Sequence, residues 1–261
     1  MHPRIEVLQT SALLLGYHAE LPLVYLNLLI QARLRGMIDT MLERRTRYLQ
    51  VACNRTLSDA LRIIRQLPKS PRIILEVGTP LIKAEGMNAI RTIKAIGTLH
   101  FGFAPYIVAD MKTMDRGTTE VDLAADAGAN AVIALGSAPT ETLEQFLAQC
   151  DKRGVDGMID MMNIEFPLEV LSKLRRRPKV VILHRGVDET SFNKEKAIPY
   201  WSIQRIKGTY NLMLAIAGGD DLREVQRAAF NGADIVVVWQ SFYQADANTG
   251  SLAQAFLQNV K

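Results

Sequence analysis

Cysteine is nearly absent from this chain: Cys53 and Cys150 are the only two in 261 residues. They lie far apart and outside any metal-ligand spacing, which excludes a disulfide framework and a structural zinc site and leaves a reducing, cytoplasmic setting as the expectation. Aromatic residues are sparse at 7%, and the one basic run, Arg175-Arg176-Arg177, falls where a helix should end. Without basic residues interleaved with stacking groups on one face, no nucleic-acid partner is expected. The net charge of +4 and pI of about 9.1 favour small anions only mildly. No apolar run is long enough to span a membrane, because residues 21–34, the most apolar early stretch, are broken by Pro22, Asn27, Gln31 and Arg33. No small-residue cleavage site follows that stretch, so no secretory leader is expected. Nor is any segment poor enough in apolar groups to stay disordered, with 48% hydrophobic and 22% charged residues overall.

What the chain does have is a regular alternation. From Tyr48 onward, short β-branched or apolar runs alternate with segments of helical period, the pattern of successive βα units on a parallel sheet. Strands are predicted at residues 48–53, 73–77, 106–111, 131–135, 158–162, 180–184, 212–217 and 235–239. Helices are predicted at 57–67, 87–96, 118–127, 140–152, 168–174, 222–230 and 252–260. Eight strands close a ring, and the length suits one (β/α)₈ TIM barrel, which takes about 250 residues. Two turns repeat a motif, Ala127-Gly128-Ala129-Asn130 and Asn231-Gly232-Ala233-Asp234, where glycine suits a left-handed helix end at the bottom of the barrel. Residues 1–46 stand outside the eightfold pattern, and Leu21, Val24, Tyr25, Leu28 and Ala32 recur at helical spacing. They are read as an N-terminal helical extension, packed on the barrel's N-terminal face or at a subunit interface, ahead of a barrel domain over 47–261.

In a barrel of this kind the site is built from the C-terminal strand ends. The polar groups expected there are Asn54, Glu76, Asp110, Lys112, Asp115, Asp160, Asn163, His184, Arg185 and the pair Gly218-Gly219. Asp110 and Lys112 are two residues apart, so an extended strand points both into the barrel. A lysine buried between carboxylates stays protonated and offers a fixed positive charge where an enediolate or carbanion develops. Glu76, from the neighbouring strand, could join Asp110 in holding one Mg²⁺, with water and substrate filling the other positions. His184 ends a strand before the polar stretch Arg185-Gly186-Val187-Asp188 and is read as an acid, a base or a substrate contact. Burying these charges is costly unless they are paired, which argues for a site over an idle ion cluster.

Several strings resemble the 3-hexulose-6-phosphate synthases of the orotidine 5′-phosphate decarboxylase superfamily. They are Glu76 through Gly86 (EVGTPLIKAEG), Ala109 through Asp115 (ADMKTMD), Asp160-Met161-Met162-Asn163, His184 through Glu189 (HRGVDE) and Ala217-Gly218-Gly219. The resemblance runs from about Tyr48 to the C-terminus. It implies a homodimer with active sites near the interface and a Mg²⁺-dependent aldol reaction between formaldehyde and D-ribulose 5-phosphate, or its reverse. By that resemblance Glu76 and Asp110 hold the metal, Lys112 stabilises the enediolate, His184 shuttles the proton, and Asp115 reaches the neighbouring subunit's site. Asn54, Lys83, Asp160 and Arg185 would contact the substrate, as would Gly218, Gly219, Gln240 and Ser241 at its phosphate end.

Two positions depart from the family's pattern. Where the family ends its first strand in Asp, this chain reads Val51-Ala52-Cys53-Asn54, and an amide brings no negative charge and cannot act as a base. Where the family follows its last strand with a glycine-rich phosphate turn, this chain has Trp239-Gln240-Ser241. Two alternatives therefore stay open beside the aldolase: a related barrel lyase or decarboxylase acting on a different, unphosphorylated or larger substrate, and a non-catalytic barrel used for binding.

Overall fold

Runs such as Ile-Ile-Leu-Glu-Val and Val-Val-Ile-Leu-His are apolar on both faces, as strands must be when a barrel interior lies on one side and helices on the other. In the computed structural model, which describes residues 42–193, 195, 197–219, 221–245 and 248–260, these runs form eight strands. They are β1 (Tyr48–Cys53), β2 (Ile73–Val77), β3 (Tyr106–Thr113), β4 (Ala131–Leu135), β5 (Asp156–Asp160), β6 (Val180–His184), β7 (Met213–Ala217) and β8 (Ile235–Val238). Each pairs in parallel with the next, and β8 returns to β1 to close the ring. The helices among the described residues are α1 (Leu57–Ile64), α2 (Thr79–Glu85), α3 (Asn88–Phe101), α4 (Gly117–Asp126), α5 (Thr140–Arg153), α6 (Pro167–Lys173), α7 (Val187–Phe192), α8 (Trp201–Thr209), α9 (Leu222–Phe230), α10 (Gln240–Gln244) and α11 (Thr249–Asn259).

The period of two along each strand divides the apolar residues into two cores. Tyr48, Ile74, Val108, Ile133, Met158, Ile182, Ala215 and Val237 fill the barrel interior, and Leu42, just ahead of β1, belongs to the same cluster. Leu49, Leu75, Ile107, Val132, Ile159, Val181, Leu214 and Val236 face outward and pack on the helices. Local signals set the helices against that outer face. Thr56 caps α1 by accepting from the Asp59 amide at 3.1 Å, and Ala60, Ile63 and Ile64 bury one stripe. Asp221 caps α9 in the same way from Glu224, at 2.8 Å, with Val225, Ala228 and Ala229 buried.

The barrel's lower rim is locked by the two repeated turns. Gly128 and Gly232 have φ of 96° and 93°, as the turn motif requires. Asn130 Oδ1 then accepts from the Ile107 amide at 2.9 Å, and Asp234 Oδ2 from the Leu214 amide at 2.8 Å. Lys207 Nζ donates to Asp234 Oδ1 at 2.8 Å, so both oxygens of this buried carboxylate are engaged.

The predicted strands and the observed ones share bounds at β1, β2, β4 and β6. β3 runs two residues further than predicted, β5 lies two residues earlier, β7 starts one residue later, and β8 stops at Val238, leaving Trp239 to begin α10. The polar stretch after His184 is a helix, α7, and α8 had no predicted counterpart because its apolar positions Ile203 and Ile206 are too few to reveal a period. Of the N-terminal helical extension predicted over residues 1–46, residues 1–41 lie outside the described residues, and 42–46 contain no helix.

Removing the Asp234 carboxylate by Asp234→Ala should leave the Leu214 amide without its acceptor and Lys207 with the Gly232 carbonyl alone. The expected loss is about 1–3 kcal/mol, the cost of a stranded buried donor, seen as a lower urea midpoint with an unchanged slope. A midpoint equal to wild type would show that the rim does not depend on this lock.

Candidate active site

β1 contributes Gln50 to the interior and Asn54 at its end. Gln50, 1% exposed in a strand otherwise apolar, donates from Nε2 to Glu76 Oε2 on β2. Asn54 is half-buried; its amide nitrogen donates to the Tyr243 hydroxyl at 2.8 Å, and its side chain lies over Gly78. A Cβ on Gly78 would come 1.8 Å from Asn54 Oδ1, so glycine is what admits this asparagine. The Tyr243 ring meets Trp239 edge to face at 5.9 Å and carries the Arg55 guanidinium at 4.8 Å.

β3 does not reach the site as a flat strand. Its register with β4 jumps between Ala109 and Thr113, where four steps along β3 match two along β4, so Asp110-Met111-Lys112 forms a bulge. Within it Lys112 has φ of 46°, a left-handed conformation that costs a non-glycine residue about 1–2 kcal/mol. Arg116 (φ 55°) and Asn163 (φ 59°) are the other such residues among those described, and they too follow β3 and β5. Strain thus gathers at the C-terminal strand ends.

The bulge delivers the Lys112 ammonium to two carboxylates. Nζ lies 3.1 Å from Asp110 Oδ2 and 2.8 Å from Asp160 Oδ2, and Asp160 is on β5, two strands away. The same Asp160 oxygen is 2.8 Å from His184 Nδ1, while Asp160 Oδ1 accepts from the Met162 amide at 2.9 Å. Thr79, at the start of α2, reaches Asp110 through Oγ1, 2.7 Å from its carbonyl and 2.9 Å from Oδ2.

Burial and neighbouring charge set the protonation states. Burial first, and the adjacent Asp110 second, push Glu76 up to about 7, while the Gln50 bond and Lys112 pull the other way. Burial alone would raise Asp160, but the charge and hydrogen bond of His184, with those of Lys112, outweigh it and hold the carboxyl at about 2. Burial works against the charged form of Lys112, yet Asp110 and Asp160 overcome it and raise the ammonium above its ordinary range. His184 is raised in the same sense, with Asp160 outweighing burial.

The structure brings together Glu76, Asp110, Lys112, Asp160 and His184 from four strands. Asp160 differs from its expected role as a substrate contact: it is 1% exposed with both oxygens engaged, so it orients Lys112 and His184. Lys83 is exposed on α2, and Asp115 is exposed after β3; neither belongs to the convergent cluster. Arg185 spans the β6 and β7 ends, donating to Thr190 Oγ1 and to the Gly218 carbonyl, both at 3.1 Å. Gly218 (φ 101°) could not carry a Cβ, which would lie 2.3 Å from the Arg185 carbonyl, and Gly219 packs on Glu224. Gln240 and Ser241 form the first turn of α10 beside Trp239. Residue patterns alone missed Gln50 and Thr79. An inward-facing glutamine in an apolar strand was the available signal for the first, and nothing local marked the second.

A closed ring of eight parallel strands with paired charges at their C-terminal ends defines a (β/α)₈ barrel of the enzymatic class. The chain belongs to the orotidine 5′-phosphate decarboxylase / HUMPS family, whose model matches residues 47–255. It is 38% identical over 218 residues to the bifunctional enzyme Fae/Hps of Methanocella arvoryzae, covering 82% of this chain and 53% of that protein. Against the bifunctional enzyme Fae/Hps of Methanocaldococcus jannaschii it is 40% identical over 180 residues, covering 69% of this chain and 44% of that one. The chain thus spans about half the length of the curated relatives it matches. Among solved structures it is similar to 3-hexulose-6-phosphate synthase from Salmonella typhimurium, with a TM-score of 0.71 at 27% identity over 82% of this chain and 98% of that one.

Because His184 is raised, its link to Asp160 stabilises the fold fully below about pH 6.5 and fades as pH rises through the higher folded value. Asp160, held at about 2, contributes above about pH 4, the unfolded carboxyl range, and that contribution is lost as pH falls toward 2. In Asp160→Asn the His184 ring should titrate at lower pH than in wild type, read from its Cε1 proton by NMR. An unchanged titration would remove Asp160 as its partner.

Proposed function

We propose that this protein is an aldolase of the 3-hexulose-6-phosphate synthase type, joining formaldehyde to D-ribulose 5-phosphate or splitting the product. The observation that carries the reading is the partly buried Lys112 ammonium held between Asp110 and Asp160 at the strand ends. Removing a proton from the ketose makes an enediolate, and a preorganised ammonium in a site of low polarity stabilises the oxygen that gains charge. With Nδ1 committed to Asp160, His184 presents Nε2 as the atom that takes up and returns the proton. Asp160 keeps that tautomer and holds Lys112 at the same time.

The donor set fits Mg²⁺. Glu76 and Asp110 are buried carboxylates on neighbouring strands, and Glu76 is pushed up partly by Asp110, a repulsion that a divalent cation would relieve. Among the described residues no group of three or more His, Cys, Asp and Glu forms a cage, but magnesium commonly takes one or two carboxylates and fills its shell with water and substrate oxygens. When bound, the ion polarises the substrate oxygens that become the enediolate.

Asn54, Arg185, Gly218, Gly219, Gln240 and Ser241 follow the C-terminal ends of β1, β6, β7 and β8 and would take the sugar hydroxyls and phosphate, as would Lys83 on α2. One observation favours a second reading, a related lyase or decarboxylase whose substrate lacks the phosphate: Trp239 stands at the β8 corner where a glycine turn would cradle that anion. We further propose a homodimer in which Asp115, exposed beside the exposed Met114, serves the neighbouring site.

The protein with Mg²⁺ should consume formaldehyde only when ribulose 5-phosphate is present, and Lys112→Ala should lower kcat about 10²–10³-fold. No consumption by wild type would end the aldolase reading. Equal turnover of ribulose and ribulose 5-phosphate would favour the second.

A further inference from the structure

Gln50 is a polar residue in a layer that an apolar side chain could fill. It sits in register with Ile74 on one side and Val237 on the other, and is 1% exposed. A glutamine amide offers two donors on nitrogen and two lone pairs on oxygen. Nε2 donates to Glu76 Oε2, but Oε1 is buried with no partner in the protein. With Glu76 ionised, as a bound cation would keep it, turning the amide over would set oxygen against a carboxylate, so the Glu76 contact then fixes which end faces which way. The result is a buried acceptor that the protein leaves unmatched beside a carboxylate of the cation site.

We propose that Gln50 is a positioning residue of that site: its nitrogen pins one oxygen of Glu76 so that the other faces the cation, and its carbonyl accepts from a water the cation carries. Thr79 does the matching work on Asp110, meeting Oδ2 at 2.9 Å. The inference rests on the reading that Glu76 and Asp110 hold a divalent ion. It accounts for a glutamine where leucine would pack, since such outer partners orient ligands and tune their affinity.

The test uses Mn²⁺ alone with the full chain, without sugar, so that it is independent of the formaldehyde assay. In Gln50→Met, which keeps the length and removes both polar ends, Mn²⁺ affinity by calorimetry should fall about 10- to 100-fold with little change in Tm. Gln50→Asn, one methylene too short to reach Glu76, should lose affinity likewise. A merely structural glutamine would instead lower Tm and leave affinity alone; wild-type affinity in either folded variant overturns the proposal, as does failure of the wild-type protein to bind Mn²⁺. Should both variants fail to fold, a crystal structure of the wild-type protein with Mn²⁺ decides. Gln50 Oε1 within hydrogen-bond distance of a cation-bound water supports the proposal, and Oε1 on a protein group, or the ion away from Glu76, overturns it. Aldol activity that persists with Gln50-independent Mn²⁺ binding would sink this inference and leave the proposed function standing.

Discussion

Asp160 Oδ2 accepts from both the Lys112 ammonium and the His184 ring, and the arrangement of the site follows from that one shared oxygen. A carboxylate with 2% of its side chain exposed is expensive to bury, and only two positive partners and the Met162 amide make it tolerable. Once it is ionised it raises the proton affinity of both partners and fixes their positions. Removing it would leave the Lys112 ammonium with Asp110 alone and the His184 ring without its carboxylate, so this one group sets how both are oriented.

The β3 bulge makes that sharing possible. β4 separates β3 from β5 and carries no polar side chain, so nothing on the strand between competes with Asp160 for Lys112. Extending β3 by a bulge, at the expense of a left-handed Lys112, sends the side chain across the strand between. A strained residue survives here because two salt bridges and the buried Thr113 fix the backbone around it. Strain, charge and shape are one feature seen three ways.

The two rims of the barrel divide their work. At the bottom, Asn130 and Asp234 spend their polar atoms on strand amides and on Lys207, and little is left for a ligand. At the top, Glu76, Asp110 and Gln50 are buried among too many acceptors for the donors the protein supplies. A fold whose stability is secured below can afford an unbalanced cluster above.

The amino-acid sequence by itself determined the barrel, because periods of two and 3.6 are local and each strand and helix carries its own. It also determined which strands end in acids, bases and glycines, and so located Glu76, Asp110, Lys112 and His184 as one candidate set. It misjudged Asp160, whose role depends on what surrounds it, and it passed over Gln50, whose importance appears only when Glu76 is seen against it. Trp201–Thr209 escaped because its buried apolar residues, Ile203 and Ile206, are too few to make a period. Tertiary structure alone decided that Lys112 leaves the strand's alternation, that β3 meets β5, and that one carboxylate serves both Lys112 and His184. Those facts depend on closure of the ring and on the register between strands distant in sequence, and neither is written in the pattern of any single segment.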